Sequence, residues 1–408
     1  MLPWVGVPGM SRSHDDLVSN DMRLRSLDGL RGVAALVVLV HHALLTVPSF
    51  AAPYFDTSSN RLIWSWEWWI TRTPLHVLWD GSGAVYVFFI LSGMVLTLQV
   101  LRSNDFSWLA YYPQRLLRLY LPIWAAIVLA VATFMLVPRE GTMPSAWLQH
   151  LTKDVTPEAV ISDATLLFGS GGIASPLWSL QWEIVFSLAL PAFAWAAVRS
   201  RRFSIPVVSG CIAVIAVGAL GHGAIRFMPM FLIGAVLAAN LSNLRRLKTA
   251  VEARRYSNVV WVMGLALSIV LLEANWLLQT QDTSAAIRAL SLGLATLGAL
   301  GIVTVAACWR SATSLLETRP VQGLGLISFS LYLTHEPIVI ASAYFFGPGH
   351  ELIALAVSIP LALVVAQVFR LTVERPGHRL AKKVGWRIDK RRAPSTVRSQ
   401  KQPLSKAE

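Results

Sequence analysis

The sequence has few charged residues and few cysteines. Only 14% of its 408 residues are charged, 55% are hydrophobic and the mean hydropathy is +0.56. About a quarter of the residues of a soluble domain are charged, so this composition excludes an ordinary soluble fold and indicates an integral membrane protein. The cysteines, Cys211 and Cys308, lie in apolar stretches without metal-ligand spacing. We therefore predict neither a disulfide framework nor a metal site.

From the sequence we also expect neither a cleavable signal peptide nor an appended soluble domain. Residues 1–26 contain no apolar core followed by a small-residue cleavage site, so we expect the first apolar helix to direct membrane insertion. We divide the chain into a cytoplasmic N-terminal segment (1–26), one membrane domain (27–380) and a basic, disordered cytoplasmic tail (381–408).

Ten apolar runs approach the length that crosses a bilayer, which is about 20 residues for a helix. They are Leu30–Val47, Ser82–Leu101, Leu119–Val137, Pro176–Val198, Ser204–Leu220, Ile225–Leu241, Asn258–Leu278, Ala285–Ala307, Gly323–Phe346 and Leu352–Val373. The sequence therefore predicts an all-α integral membrane protein, a bundle of about ten transmembrane helices.

The net charge of +13 comes from short basic clusters between these apolar runs. If the N-terminus is inside the cell, 29 of the 35 Lys and Arg residues lie on the inner side. This asymmetry follows the positive-inside rule and predicts a multi-pass protein of the cytoplasmic (inner) membrane with both termini cytoplasmic. We expect the basic clusters to contact membrane lipids, and we expect no nucleic-acid partner.

Ionisable groups within transmembrane helices are costly, so each is a candidate functional residue. Asp28 and Arg31, three residues apart, can pair at the cytoplasmic end of the first helix. His41 follows about 15 Å further along, where a neutral imidazole suits a general base. The alternative for His41 is a structural histidine bonded to a carbonyl. We assign a structural role to His42, which faces about 100° away.

Three later helices carry further candidates. Arg115 and Arg118 share a helix face and suit phosphate binding, although they also fit a simple positive-inside anchor. Glu183 lies about 10 Å into its helix and needs a partner, which could be a histidine, an arginine or a substrate hydroxyl. We interpret His335 either as a second acid or base or as a structural support for the site around His41.

Seven short motifs occur in order along the chain. They are Asp28-Gly-Leu-Arg31-Gly-Val-Ala with His41, Phe88-Phe89-Ile-Leu-Ser92-Gly93, Arg115-x-x-Arg118, Trp178-Ser-Leu-x-x-Glu183-x-x-Phe186, Phe231-x-x-Gly234, Ile-Ser328-x-x-Leu-Tyr332-Leu-x-His335-x-Pro337 and Glu374-Arg375-Pro376. Each is weak alone, but together and in this order they resemble the acyltransferase-3 family of membrane O-acyltransferases over nearly the whole chain.

The resemblance implies transfer of an acyl group, expected to be acetyl, from acyl-CoA to a hydroxyl of a sugar, glycan, or glycosylated or lipid-linked acceptor. Acyl-CoA is then a co-substrate, and no bound cofactor is expected. The implied roles are catalysis by His41, Glu183 and His335, donor binding by Arg31, Arg115 and Arg118, and structural support from Asp28, Ser328, Tyr332, Glu374 and Arg375.

A secondary transporter or lipid-linked glycan exporter is the main alternative, since it would share the helices, the basic inner face and the buried charges. Such a protein should show internal repeats or paired broken helices, and inspection of the sequence finds neither. A scaffold or receptor without catalysis is a second alternative, against which the presence of His41 with Arg115 and Arg118 argues. The sequence is compatible with both a monomer and a homo-oligomer.

Overall fold

The computed structural model describes residues 14–55, 65–103, 105–167, 169–219, 221, 223–278 and 283–392. Its helices are α1 (His14–Leu45), α2 (Pro48–Phe55), α3 (Trp66–Thr71), α4 (Gly81–Arg102), α5 (Trp108–Leu136), α6 (Ala146–His150), α7 (Pro157–Thr165), α8 (Leu177–Arg199), α9 (Ser204–Gly218), α10 (Gly223–Ala239), α11 (Leu241–Glu252), α12 (Ser257–Leu272), α13 (Ala274–Leu278), α14 (Ala285–Cys308), α15 (Arg310–Leu316), α16 (Arg319–Phe346), α17 (Glu351–Phe369) and α18 (Arg375–Arg392). A 3₁₀ helix (Pro74–Leu78) precedes α4, and a π-helical turn (Arg370–Glu374) joins α17 to α18.

Eight segments of the described chain are long and apolar enough to cross a membrane. They are Arg25–Leu45, Gly81–Arg102, Trp108–Leu136, Leu177–Arg199, Arg201–Gly218, Ala285–Cys308, Arg319–Phe346 and Glu351–Lys390. A ninth is present if α10 and α11, which bend by 72° between them, form one span. Helix α12, with 16 residues, is shorter. The predicted all-helical membrane class is confirmed. Every predicted apolar run overlaps helical segments, but Asn258–Leu278 is divided between α12 and α13, and the described chain has eight or nine candidate spans where about ten were predicted.

The outer surface of the bundle is apolar. Val128, Met135, Ile205, Leu352 and Val364 are all exposed on the spans. Such an apolar surface is unfavourable in water but is well solvated by the hydrocarbon of a bilayer. The helices satisfy their backbone hydrogen bonds internally, as hydrocarbon requires. The polar side chains discussed below therefore lie inside the bundle because the lipid-facing side cannot hold them.

Close helix contacts depend on glycine at two interfaces. Helix α1 packs along α16, and α4 packs along α10. A Cβ on Gly32 would collide with the backbone of Gly325, and one on Gly93 would collide with the backbone of Phe231. Small residues allow membrane helices to approach this closely. As a result, α1 and α16, which carry the histidines, are held against each other.

Helices extend beyond both ends of the predicted membrane domain. Residues 14–26 of the predicted N-terminal segment belong to α1, and residues 381–392 of the predicted disordered tail form the end of α18, which packs along α5. The buried positions of α18 are small residues, Gly377, Ala381 and Gly385, spaced four apart. Because a stripe of small residues adds little hydropathy, the sequence pattern did not indicate this helix. Residues 1–13 and 393–408 lie outside the described chain.

Candidate active site

A cleft lies between α1, α4, α5, α8 and α16. The space between its lining side chains is about 890 Å³, part of it open to solvent. Its polar lining comprises Arg31, Ser92, Gln99, Arg115, Arg118, Ser179, Glu183, Ser328, Tyr332 and Glu374. The three arginines predicted to bind the donor thus share one cavity with Glu183.

Arg115 and Glu183 form an ion pair inside this cleft. The Arg115 Nη2 group donates to Glu183 Oε1 at 2.6 Å, and its Nε group donates to Ser187 Oγ at 3.1 Å. Ser92 Oγ donates to the same Glu183 oxygen at 3.2 Å. The partner that Glu183 required is therefore an arginine. Arginine carries five N–H donors, so Arg115 retains others that can bind an anion.

A second group of charges lines the same cleft. Arg31 Nη1 and Asp28 Oδ1 lie 3.8 Å apart on α1. Glu374, in the π-helical turn, accepts a hydrogen bond from Ser330 Oγ at 2.5 Å. The Arg118 side chain also lines the cleft and is exposed at the surface of the protein.

The remaining supporting residues have separate positions. Ser328 lines the cleft, and its hydroxyl donates to the carbonyl of Gly325 at 2.8 Å, within α16. Arg375 begins α18 after the π-helical turn and is exposed. It is absent from the cleft lining formed by the described residues.

Tyr332 connects the cleft to the histidines. Its hydroxyl shares a hydrogen bond with Ser179 Oγ at 2.6 Å, and its ring lies edge-on to Phe88. One turn further along α16, the ring centroid of His335 lies 6.1 Å from that of Tyr332. The cleft lining contains no histidine among the residues described. Tyr332 therefore forms the wall between the arginine-lined cavity and the histidines.

His42 and His335 face each other across the interface of α1 and α16. Their nitrogens Nδ1 (His42) and Nε2 (His335) lie 3.1 Å apart. His42 Nδ1 is also 3.0 Å from the Val38 carbonyl, and His335 Nδ1 is 2.9 Å from the Leu331 carbonyl. Because a carbonyl only accepts, we infer that both neutral rings carry hydrogen on Nδ1. The Nε2 lone pair of His42 is then the basic one, as a general base requires.

The His41 ring lies edge-on to that of His42, with 5.1 Å between their centroids, but its hydrogen-bond partners are different. Its Nδ1 lies 3.0 Å from the carbonyl of Trp79 and 3.4 Å from the hydroxyl of Tyr54. A Cβ on Gly81 would collide with its ring. The histidine that contacts His335 is therefore His42, to which the sequence interpretation gave a structural role.

Helix geometry contains the signal that would have selected His42. It follows Arg31 by 11 residues. At 3.6 residues per turn, this separation is about 20° more than three full turns, whereas His41 is about 80° away from the Arg31 direction. Arg31 and His42 thus share one face of α1, and Arg31 lines the cleft.

The loop before α8 ties the start of that helix to its neighbours. Asp163, on α7, accepts hydrogen bonds from the N–H groups of Gly171 at 2.5 Å and Ile173 at 3.0 Å. Burial raises the pKa of the Asp163 carboxyl, and these N–H groups oppose the rise. Glu336, on α16, accepts hydrogen bonds from both the N–H and the hydroxyl of Ser175. The start of α8, and with it Glu183, is therefore anchored to α16.

Comparison with known proteins decides the family. A family model described as an acyltransferase domain, that of acyltransferase-3, matches residues 24–371. The chain belongs to the acyltransferase-3 family. This acyltransferase is also 26% identical over 336 residues to Acyltransferase MdmB of Streptomyces mycarofaciens, an alignment that covers 78% of the chain and 79% of that relative. No solved structure matches the chain. Family membership and the helical spans together make the protein a membrane acyltransferase.

Proposed function

We propose that this acyltransferase moves an acyl group, acetyl in the first instance, from acyl-CoA to a hydroxyl of a sugar, glycan, or glycosylated or lipid-linked acceptor. One observation carries the proposal: Arg31, Arg115 and Arg118 line a single cleft, and Tyr332 in its wall is followed one turn later by His335. A cationic cavity beside neutral histidines suits an anionic donor and a hydroxyl nucleophile.

The arginines would hold the phosphate groups of coenzyme A. Guanidinium groups bind phosphate through paired, charge-assisted hydrogen bonds. Arg118 is exposed and meets the donor first, while Arg115 is fixed by its ion pair with Glu183. Arg31 lies on the face of α1 that also carries His42, about 16 Å away along the helix axis. The acyl arm would extend along this face from the phosphates towards the histidines.

His42 is the general base in this proposal. Its Nε2 takes the proton of the acceptor hydroxyl while the hydroxyl oxygen attacks the thioester carbonyl. A C–O ester bond forms, the C–S bond breaks, and the proton passes from His42 to the leaving thiolate of coenzyme A. His335 holds the His42 ring in orientation through the 3.1 Å contact with Nδ1. General-base catalysis of this kind contributes about 10²–10⁴-fold.

Thioester consumption by the purified protein tests this function and separates the two histidines. We expect acceptor-dependent release of coenzyme A from acetyl-CoA, lost in His42→Ala and retained to a larger extent in His41→Ala. If His41→Ala abolishes the release of coenzyme A and His42→Ala does not, the general base is His41, the residue indicated by the sequence. If the wild type neither binds nor consumes any acyl-CoA, the donor assignment fails and the transporter or exporter becomes the better hypothesis.

We also propose that the protein lies in the cytoplasmic (inner) membrane with both termini in the cytoplasm, and that the donor reaches the cleft from the cytoplasm. Both native cysteines are buried, so introduced cysteines can report the topology. A membrane-impermeant maleimide should label Glu158→Cys in intact cells and Ser395→Cys only after lysis. The reverse labelling pattern would invert the topology and place the arginine-lined cleft on the wrong side for cytoplasmic acyl-CoA.

A further inference from the structure

A second cluster of ionisable side chains lies outside the cleft, where the start of α4 meets the end of α12. His76 is in the 3₁₀ helix, Asp80 caps α4 and Glu273 follows α12, and all three are buried. One potential ligand atom from each lies within 4.8 Å of the other two. In the described parts of the chain, this is the one such group of three metal-ligating side chains.

Glu273 has one carboxylate oxygen without a partner. Its Oε2 lies 2.8 Å from His76 Nδ1, but its Oε1 is buried and has no hydrogen-bond partner among the described residues. The side chain is 0% exposed. A buried polar atom without a partner is costly and points to a bound water or ion.

Asp80 brings a second carboxylate to the same place. Its oxygens accept hydrogen bonds from the N–H groups of Ser82 at 3.1 Å and Gly83 at 2.9 Å, and each oxygen keeps a further lone pair. A Cβ on Gly83 would collide with this carboxylate, so the glycine makes room for it. Two carboxylates this close repel each other unless a proton or a cation lies between them.

We propose that His76, Asp80 and Glu273 bind a divalent transition-metal ion. Zn²⁺ suits this set, because it accepts one imidazole and carboxylate oxygens in tetrahedral geometry. The ion would replace the hydrogen shared by His76 and Glu273, and a water or the second Glu273 oxygen would complete the coordination. It would join the start of α4 to the end of α12.

The proposed site also reaches His41. His76 Nε2 lies 2.8 Å from the hydroxyl of Tyr54, which lies 3.4 Å from His41 Nδ1. Groups in the shell beyond the ligands are oriented by the metal. The ion would thus fix Tyr54 and His41 in place. This inference rests on the geometry of the cluster and is independent of the acyl donor and acceptor.

Metal analysis of the purified full chain, carrying a histidine-free affinity tag, tests the site. The protein is treated with a chelator, dialysed against Zn²⁺, and measured for bound metal and for its unfolding midpoint with and without the ion. We expect one equivalent of Zn²⁺ and a raised midpoint, because an ion that binds only the folded state stabilises it. Glu273→Gln and Asp80→Asn should lose both effects. His150→Ala, which removes an exposed histidine, should keep both.

Two results would overturn the proposal. One is a wild type that holds no more Zn²⁺ than Glu273→Gln. The other is loss of the bound ion in His150→Ala, which would place it at the surface. If the acidic variants do not fold, Co²⁺ in the wild type decides: strong visible bands of tetrahedral Co²⁺ support the site, and a spectrum identical to that of Co²⁺ in buffer refutes it.

Discussion

Glu183 on α8 and Arg115 on α5 are joined by a 2.6 Å ion pair, and their side chains are only 22% and 10% exposed. Loss of one partner from such a pair leaves the other charge largely desolvated and unpaired. Glu183 therefore fixes Arg115 in the wall of the cleft. This role in positioning Arg115 differs from the catalytic role that the family resemblance implied for Glu183.

Glu183→Gln separates these two roles. The amide keeps a hydrogen-bond acceptor but removes the charge, so Arg115 should become less well held. Charged hydrogen bonds contribute about 1.5–3 kcal/mol, which corresponds to roughly 10–100-fold in affinity. We expect KM for acetyl-CoA to rise by up to this factor and kcat to change less. Glu158→Gln, at an exposed acid, is the control. A collapse of kcat with KM unchanged would restore the catalytic role.

Arg118 should recognise a phosphate group of the donor. We expect Arg118→Ala to raise KM for acetyl-CoA about tenfold or more, because a charge-assisted hydrogen bond is lost. Comparing acetyl-CoA with acetyl-dephospho-CoA, which lacks the 3′-phosphate, identifies the contact: the wild type should prefer the former, and the variant should not. Arg288→Ala, at an exposed arginine on α14, should keep the preference. An unchanged KM for acetyl-CoA in Arg118→Ala would indicate that Arg118 anchors the helix at the membrane surface and does not bind the donor.

His335 should act by orienting His42. In His335→Leu the Nδ1–H group of His42 loses its acceptor across the interface, and we expect kcat to fall about 10–100-fold. A glutamine at this position offers a carbonyl acceptor, so His335→Gln should recover part of the loss. Steady-state kinetics of the two variants, with KM for the donor as reference, measures this difference. Equal losses in both variants would indicate that His335 itself exchanges the proton.

Hydropathy predicted most of the fold, because lipid imposes a strong length and polarity requirement on every span. It could not show where helices break. The predicted run Asn258–Leu278 is two helices that meet at Glu273, and the run Ile225–Leu241 ends at the bend before α11. The sequence feature that pointed to a break in Asn258–Leu278 is Glu273, because a carboxylate inside a predicted span indicates either a functional group or an interruption of the helix.

The sequence predicted several of the residues that line the candidate site, but not which of them pair with each other. Arg31, Arg115, Arg118 and Glu183 were all selected from the sequence, and they do line one cleft. Partners in such a site lie on different helices, so spacing along the chain cannot reveal them. The ion pair of Arg115 with Glu183 needed the packing of α5 against α8. By contrast, the position of His42 on the face of α1 that carries Arg31 could be read from the angle around one helix.

Gly32 should control the distance between His42 and His335. A Cβ at this position would collide with the backbone of Gly325, so Gly32→Ala must push α1 away from α16 and lengthen the 3.1 Å contact. We expect a lower unfolding midpoint and a lower kcat. In Gly323→Ala, on the same interface helix, the added Cβ meets nothing within 4 Å. Alanine is preferred to glycine in helices by about 1 kcal/mol, so this control should be as stable as the wild type or slightly more so. If Gly32→Ala behaved like the control, the close approach of the helices would not be what holds the two histidines together.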